Sequence, residues 1–152
     1  MKIHLGSVAW RQIESGHHQC VLDLFRECDR RGIEIEEGRV IGDALVSRAR
    51  SIAASHFLRS GCDVMLSIDS DIWFRPEDAI SLCEKALAGH DVIGAIYATR
   101  ALHTQPALML DNDKEIVFSP ESQPHEAQFI PTGFTAVTRA PFEALSKTLP
   151  NC

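Results

Sequence analysis

Apolar and polar positions along the chain switch between two periods. Ile3–Ala9 is a short apolar run that reads as a strand. Over Gln19–Arg31, Val21, Leu22, Leu24, Phe25 and Cys28 recur at helical spacing, and Gly32 follows as a stop. Ile33–Glu36 alternates apolar and acidic residues, as a half-buried strand does. Asp43 then caps a predicted helix running to Ser60, with Leu45, Ala49, Ile52, Ala53 and Phe57 on one face and Gly61 behind it. Val64–Ile68 reads as a buried strand. Pro76 opens a helix with Glu77 and Asp78 in its first turn, Ile80, Cys83 and Leu87 on its core face and Gly89 at its end. Asp91–Ala98 is the next predicted strand. Strands separated by helices form successive βαβ units, so a parallel sheet covered by helices is expected.

The texture changes after that. Ala107–Leu110 and Glu115–Phe118 read as short strands around an Asp111-Asn112-Asp113 turn, and Ser119–Glu126 as a loop. Phe129–Thr138 is apolar around Gly133, and Pro141–Leu149 reads as a last helix. The expectation is a single α/β domain over 1–152, its sheet mostly parallel with mixed strands near the C-terminus. The 152 residues suit one core.

Charge and cysteine usage narrow the field. Fifteen basic and 21 acidic residues give a net charge of −6, which argues against nucleic-acid binding by bulk charge. The basic residues gather in the first half, where an anion site is therefore expected. The longest apolar runs fall far short of the ~20 residues of a membrane span, and the start does not read as a signal peptide. The five cysteines form no CxxC pair and their number is odd, so neither a zinc knuckle nor a disulfide framework is expected. Free thiols in a reducing cytoplasm fit this usage.

The most informative segment is Met65–Phe74. Asp69 and Asp71 stand one residue apart where an apolar strand ends. In open α/β sheets ligands bind beyond the carboxyl ends of strands, and residues i and i+2 of extended chain point the same way. Two such carboxylates suit Mg2+ or Mn2+, which bridges carboxylate oxygens to substrate phosphates. The alternative is plain: Asp71 shapes a turn and Asp69 is solvated. The same spacing recurs at Asp111 and Asp113, assigned to a hairpin turn. A Gly-rich loop ending in Gly-Lys-Ser/Thr is absent, an EF-hand would need glycine where Phe74 stands, and a haloacid-dehalogenase-type phosphatase would need Thr or Val where Trp73 stands.

Taken in order, the segments resemble a GT-A glycosyltransferase of the broad family-2-like group, over roughly residues 3–148. Ile68-Asp69-Ser70-Asp71-Ile72-Trp73-Phe74-Arg75-Pro76 resembles its Asp-x-Asp segment. Asp91–Tyr97 resembles the strand that follows, Leu45–Ala53 the helix that carries Arg-Asn, and Pro131–Arg139 the Gly-x-x-x-Arg segment. The resemblance implies a nucleotide-diphospho-sugar transferase-like three-layer sandwich and a nucleoside-diphosphate sugar as ligand, with an acceptor it does not identify. It implies that Asp71 holds Mn2+ or Mg2+ and that Asp69 contacts ribose or shares the metal. Arg50 matches the arginine near the nucleotide, with Ser51 where Asn is usual. Ser7 and Ala9 fall where the family cradles the base, and Gly133 and Phe134 where donor sugar and acceptor meet. His103 is a candidate third metal ligand, while His17 and His18 read as exposed loop residues.

The resemblance also has a gap. Family members usually continue into an acidic catalytic motif, whereas this sequence stops at Cys152, with Glu143 the only acid in its last stretch. No catalytic base is assigned. The chain is expected to be a truncated gene, a fragment, or a minimal domain completed by another subunit. Apolar Phe129, Ile130 and Phe134 are then expected at an exposed surface, with a homo-oligomer covering it. Two functions follow: a metal-dependent glycosyltransferase, or a non-catalytic sugar-nucleotide binding or assembly module. A nucleotidyltransferase is disfavoured because Leu5–Ala9 holds only one glycine.

Overall fold

The computed structural model describes residues 1–97 and 123–148. Its elements run β1 (Lys2–Ala9), α1 (Ser15–Arg31), β2 (Glu34–Ile41), α2 (Val46–Arg59), β3 (Val64–Asp69), α3 (Pro76–Lys85), β4 (Val92–Gly94), β5 (Phe134–Thr138) and α4 (Arg139–Thr148). The five strands form one sheet in the order β2-β1-β3-β5-β4. β1 pairs parallel with β2 and β3, while β5 pairs antiparallel with both β3 and β4. The sheet is therefore mixed. The βαβ reading holds for the first three strands; β5 then inserts between β3 and β4.

Side-chain alternation sorts the strands onto two cores. Ile3 and Leu5 of β1, Val64, Leu66 and Ile68 of β3, and Phe134 and Ala136 of β5 pack with Val21, Leu24 and Cys28 of α1 and Ala79, Ile80 and Leu82 of α3. The opposite face buries Val8 and Met65 against Ala49, Ala53 and Phe57 of α2, with Phe142 of α4 beside them. The result is three layers, helix–sheet–helix. Ala49, Ala53 and Phe57 stand four apart, so they form one stripe on α2. Among the described residues no helix is long and apolar enough to cross a membrane.

Several expectations are corrected at element ends. α1 starts at Ser15, so His17 and His18 are helical, and His17 is buried. Gly32 does end α1, with φ 66° and its N–H on the Asp29 and Cys28 carbonyls. Asp43 stands outside α2 and accepts the Leu45 N–H at 2.9 Å. Ser60 in extended conformation closes that helix, so Gly61 is not its left-handed cap. Leu45, Ile52 and Leu87 are exposed rather than on core faces. α3 gives way to a wider π-type turn over Ala86–His90, where Gly89 reaches φ 116°. β4 is only three residues long. Phe134 is buried at 5% exposure, and Ile130 packs over Gly94; of the three apolar residues expected on the surface, only Phe129 is strongly exposed. The strands expected at 107–110 and 115–118, the Asp111–Asp113 turn and His103 lie outside the described residues.

Candidate functional site

The chain winds first from β1 to β2 on one side, then crosses back over β1 to β3 on the other. This reversal opens a crevice between the carboxyl ends of β1 and β3, the place where open α/β sheets take ligands. Ala9 and Trp10 come from β1 and its exit, and Asp69, Ser70 and Asp71 from β3 and its exit. With Val8, Asp43, Ala44, Val46 and Ala49 they line an open cleft of about 220 Å³. Asp69 pairs in register with Val8, so both project toward α2.

Asp69 sits in a network of charged and backbone partners. Its N–H donates to the Gly133 carbonyl at 2.8 Å, and its own carbonyl accepts from the Ile72 N–H at 3.1 Å, closing a turn that carries Asp71. Arg50 of α2 donates to Asp69 Oδ1 at 2.8 Å and also bonds the Thr132 hydroxyl. The pair is about one-third exposed, Arg50 29% and Asp69 33%. The Gly133 N–H donates to the Tyr97 hydroxyl at 3.2 Å. Burial, with the Asp69 charge adding to it, pushes the Tyr97 phenol up against the opposing effect of the Gly133 N–H, so it stays neutral. Gly133 is required by space. A Cβ there would stand 2.4 Å from the Tyr97 oxygen and 3.0 Å from Asp69 Oδ2.

The start of α1 fixes the acidic turn from behind. The Glu14 N–H donates to the Ser70 carbonyl at 3.1 Å. His17 Nδ1 lies 2.9 Å from the Ile72 carbonyl, so that nitrogen carries the proton. Trp73 lies over Gly16, where a Cβ would meet its indole at 2.1 Å. Phe74 turns inward between His17 and Phe134.

The expected site residues thus fall into two groups. Asp69, Arg50 and Gly133 meet directly, and Asp71 and Ala9 border the same cleft. Ser7 does not line it: the side chain is 2% exposed, and alternation places it on the α1–α3 face with Ile3 and Leu5. Arg48 is held away by a two-pronged bond to Asp43. That bond, with the Leu45 N–H, lowers the Asp43 pKa. Residues not anticipated are Trp10, half-exposed in the cleft, Thr132 and His17. The Arg50–Thr132 contact spans 82 positions in sequence and leaves no local signal.

The donor set bears on the metal that the resemblance implies. Asp69 and Asp71 are hard oxygen donors on one cleft wall, and they fit Mg2+ or Mn2+, which keep waters and phosphate oxygens as further ligands. Asp69 is already partly neutralised by Arg50.

No family model and no curated protein sequence matches the chain. Solved structures do. A197 from STIV aligns over 94% of this chain and 68% of its own, at 19% identity and TM-score 0.64. The chain shares the fold of A197. A glycosyltransferase involved in the glycosylation of the major capsid of PBCV-1 aligns over 99% of this chain and 69% of its own, at 13% identity and TM-score 0.49. The α/β fold with its mixed sheet is the level at which the A197 likeness speaks.

Proposed function

We propose that the chain is a GT-A-like domain that binds a nucleoside-diphosphate sugar through a divalent cation and transfers the sugar to an acceptor. The observation that carries this reading is the Asp69–Asp71 pair at the reversal point of the sheet, with Asp69 tied to Arg50. Asp71 would hold Mn2+ or Mg2+, and the bound cation would supply positive charge to the diphosphate leaving group. Asp69, fixed by Arg50 and Gly133, would orient the nucleotide ribose. Ala9 and Trp10 would border the base, the indole offering a flat apolar surface. Gly133 keeps side chains away from the space between Asp69 and Tyr97.

The second reading, a binding module without turnover, has one specific observation in its favour. Transfer with inversion needs a base for the acceptor hydroxyl. Of the three carboxylates lining the cleft, Asp43 is bonded to Arg48, which lowers its pKa, Asp69 is bonded to Arg50, and Asp71 is assigned here to the cation, so none is left over as a dedicated base.

A thermal-shift panel of UDP-, GDP-, CMP- and dTDP-sugars, with and without Mn2+, tests the binding. One base should raise the melting temperature, and only with metal. Release of nucleoside diphosphate over time then separates the enzyme from the binding module. No shift with any of the four sugars in Mn2+ would count against both.

A further inference from the structure

A second group of ligating side chains lies at the opposite end of the same sheet face. His4 of β1 pairs in register with Glu36 of β2, and Cys62 lies two residues before the start of β3. His4 Nδ1 stands 2.7 Å from Glu36 Oε1. One ligand atom from each of His4, Glu36 and Cys62 lies within 4.8 Å of the other two. His4 is four residues along β1 from Val8, the register partner of Asp69, so the two sites are separated by roughly 13 Å of strand.

We propose that His4, Glu36 and Cys62 form a zinc site, with three protein ligands and a fourth position open to solvent. Imidazole nitrogen, thiolate sulfur and carboxylate oxygen together make a donor set suited to zinc, and three such ligands leave a coordination position for water. Mg2+ and Ca2+ prefer oxygen alone, so the cluster is chemically distinct from the Asp69–Asp71 pair.

The surroundings hold each ligand in place. The His4 ring is buried, flanked by Gly38 and by Phe57, whose ring centroid is 5.9 Å away. A Cβ at position 38 would stand 2.5 Å from His4 Nε2, so glycine there is what admits the ring. Nε2 is buried with no partner, and Nδ1 faces Glu36. Cys62 is 6% exposed, and Arg139 pins its segment by donating to the carbonyls of Phe57, Leu58, Ser60 and Cys62. Glu36 is 52% exposed and gives the ion its way in. Three segments distant in sequence would then be joined at the amino end of the sheet.

The test is titration of the purified full chain, stripped with chelator, with Co2+ and then Zn2+. The expected result is one tight cobalt site with a thiolate-to-cobalt charge-transfer band, displaced by zinc. Cys62→Ser should abolish the band. Glu36→Gln, at a half-exposed edge position that does not disturb the core, should weaken binding by more than the about tenfold that loss of an outer-shell partner costs. Asp71→Asn should leave the band intact. Absence of the band in the wild type, a band unaffected by Cys62→Ser, or unchanged affinity in Glu36→Gln would each overturn the proposal.

Discussion

The two faces of the sheet are built to different ends. Toward α1 and α3 the strands present Ile3, Leu5, Val64, Leu66, Ile68, Phe134 and Ala136, a continuous apolar layer. Toward α2 and α4 the strands present His4, Glu36, Met65 and Asp69, and Arg50 answers Asp69. The helices follow suit: α2 buries small Ala49 and Ala53, which bring its backbone close to the sheet, plus Phe57 at its far end. One face supplies cohesion, and the other spends part of its area on charged and ligating groups. Mutations should therefore separate by face, in stability on one side and in binding on the other.

The largest stability loss is expected on the apolar face. Leu66→Ala removes a fully buried side chain at the sheet centre and should cost about 3 kcal/mol in chemical denaturation, within the range of such cavities. On the other face, Arg139→Met keeps the aliphatic stem but loses the bonds to four carbonyls, at about 2 kcal/mol. A larger loss for Arg139→Met than for Leu66→Ala would break the division of labour.

Gly133→Ala should cost about 1–2 kcal/mol by overpacking Tyr97 and Asp69. Its effect on nucleotide-sugar affinity should be larger than its effect on stability, because the displaced groups are Asp69 and its neighbours. Calorimetry and denaturation on the same preparation compare the two.

The smallest effect is electrostatic and lies on the exposed side of α1. Arg30, and then Arg31, hold the Glu27 carboxyl down to about 2 from its ordinary 4.5. A depressed carboxylate adds stability above its unfolded pKa and loses it as pH falls from about 4.5 toward 2. Glu27→Gln should flatten that part of the acid limb slightly, and added salt should mask the difference, since the Arg30 partner is largely exposed. A large loss of stability at neutral pH would contradict a surface role.

The sequence makes the layers legible where period and burial coincide. β1 and β3 are short, nearly continuous apolar runs buried on both faces, so their positions follow from residues alone, as does the end of α1 at Gly32. The insertion of β5 between β3 and β4 is not legible, because Phe134–Thr138 reads as an apolar strand in any slot of a sheet. The Asp69–Asp71 pair is visible as a strand-end signal. Its tie to Arg50 rests on a family resemblance, and its tie to Thr132 and Tyr97 on contacts between distant segments. His17 reads as a loop residue because the helical spacing of apolar residues begins only at Gln19, whereas α1 starts at Ser15. The His4–Glu36–Cys62 cluster is invisible to spacing rules, because parallel register rather than a CxxC interval brings it together.

Calorimetric titration of the nucleotide sugar selected by the thermal-shift panel, in Mn2+ and in chelator, tests the central claim most directly. Wild type, Asp71→Asn and Asp78→Asn are compared, the last removing an exposed carboxylate paired with Arg75 on α3. The account predicts metal-dependent binding in wild type and Asp78→Asn, and a loss well beyond the about 1 kcal/mol of an ordinary surface change in Asp71→Asn. Equal affinity in all three proteins, or wild-type binding untouched by chelator, would contradict it and leave Asp69–Asp71 as a strand-end turn.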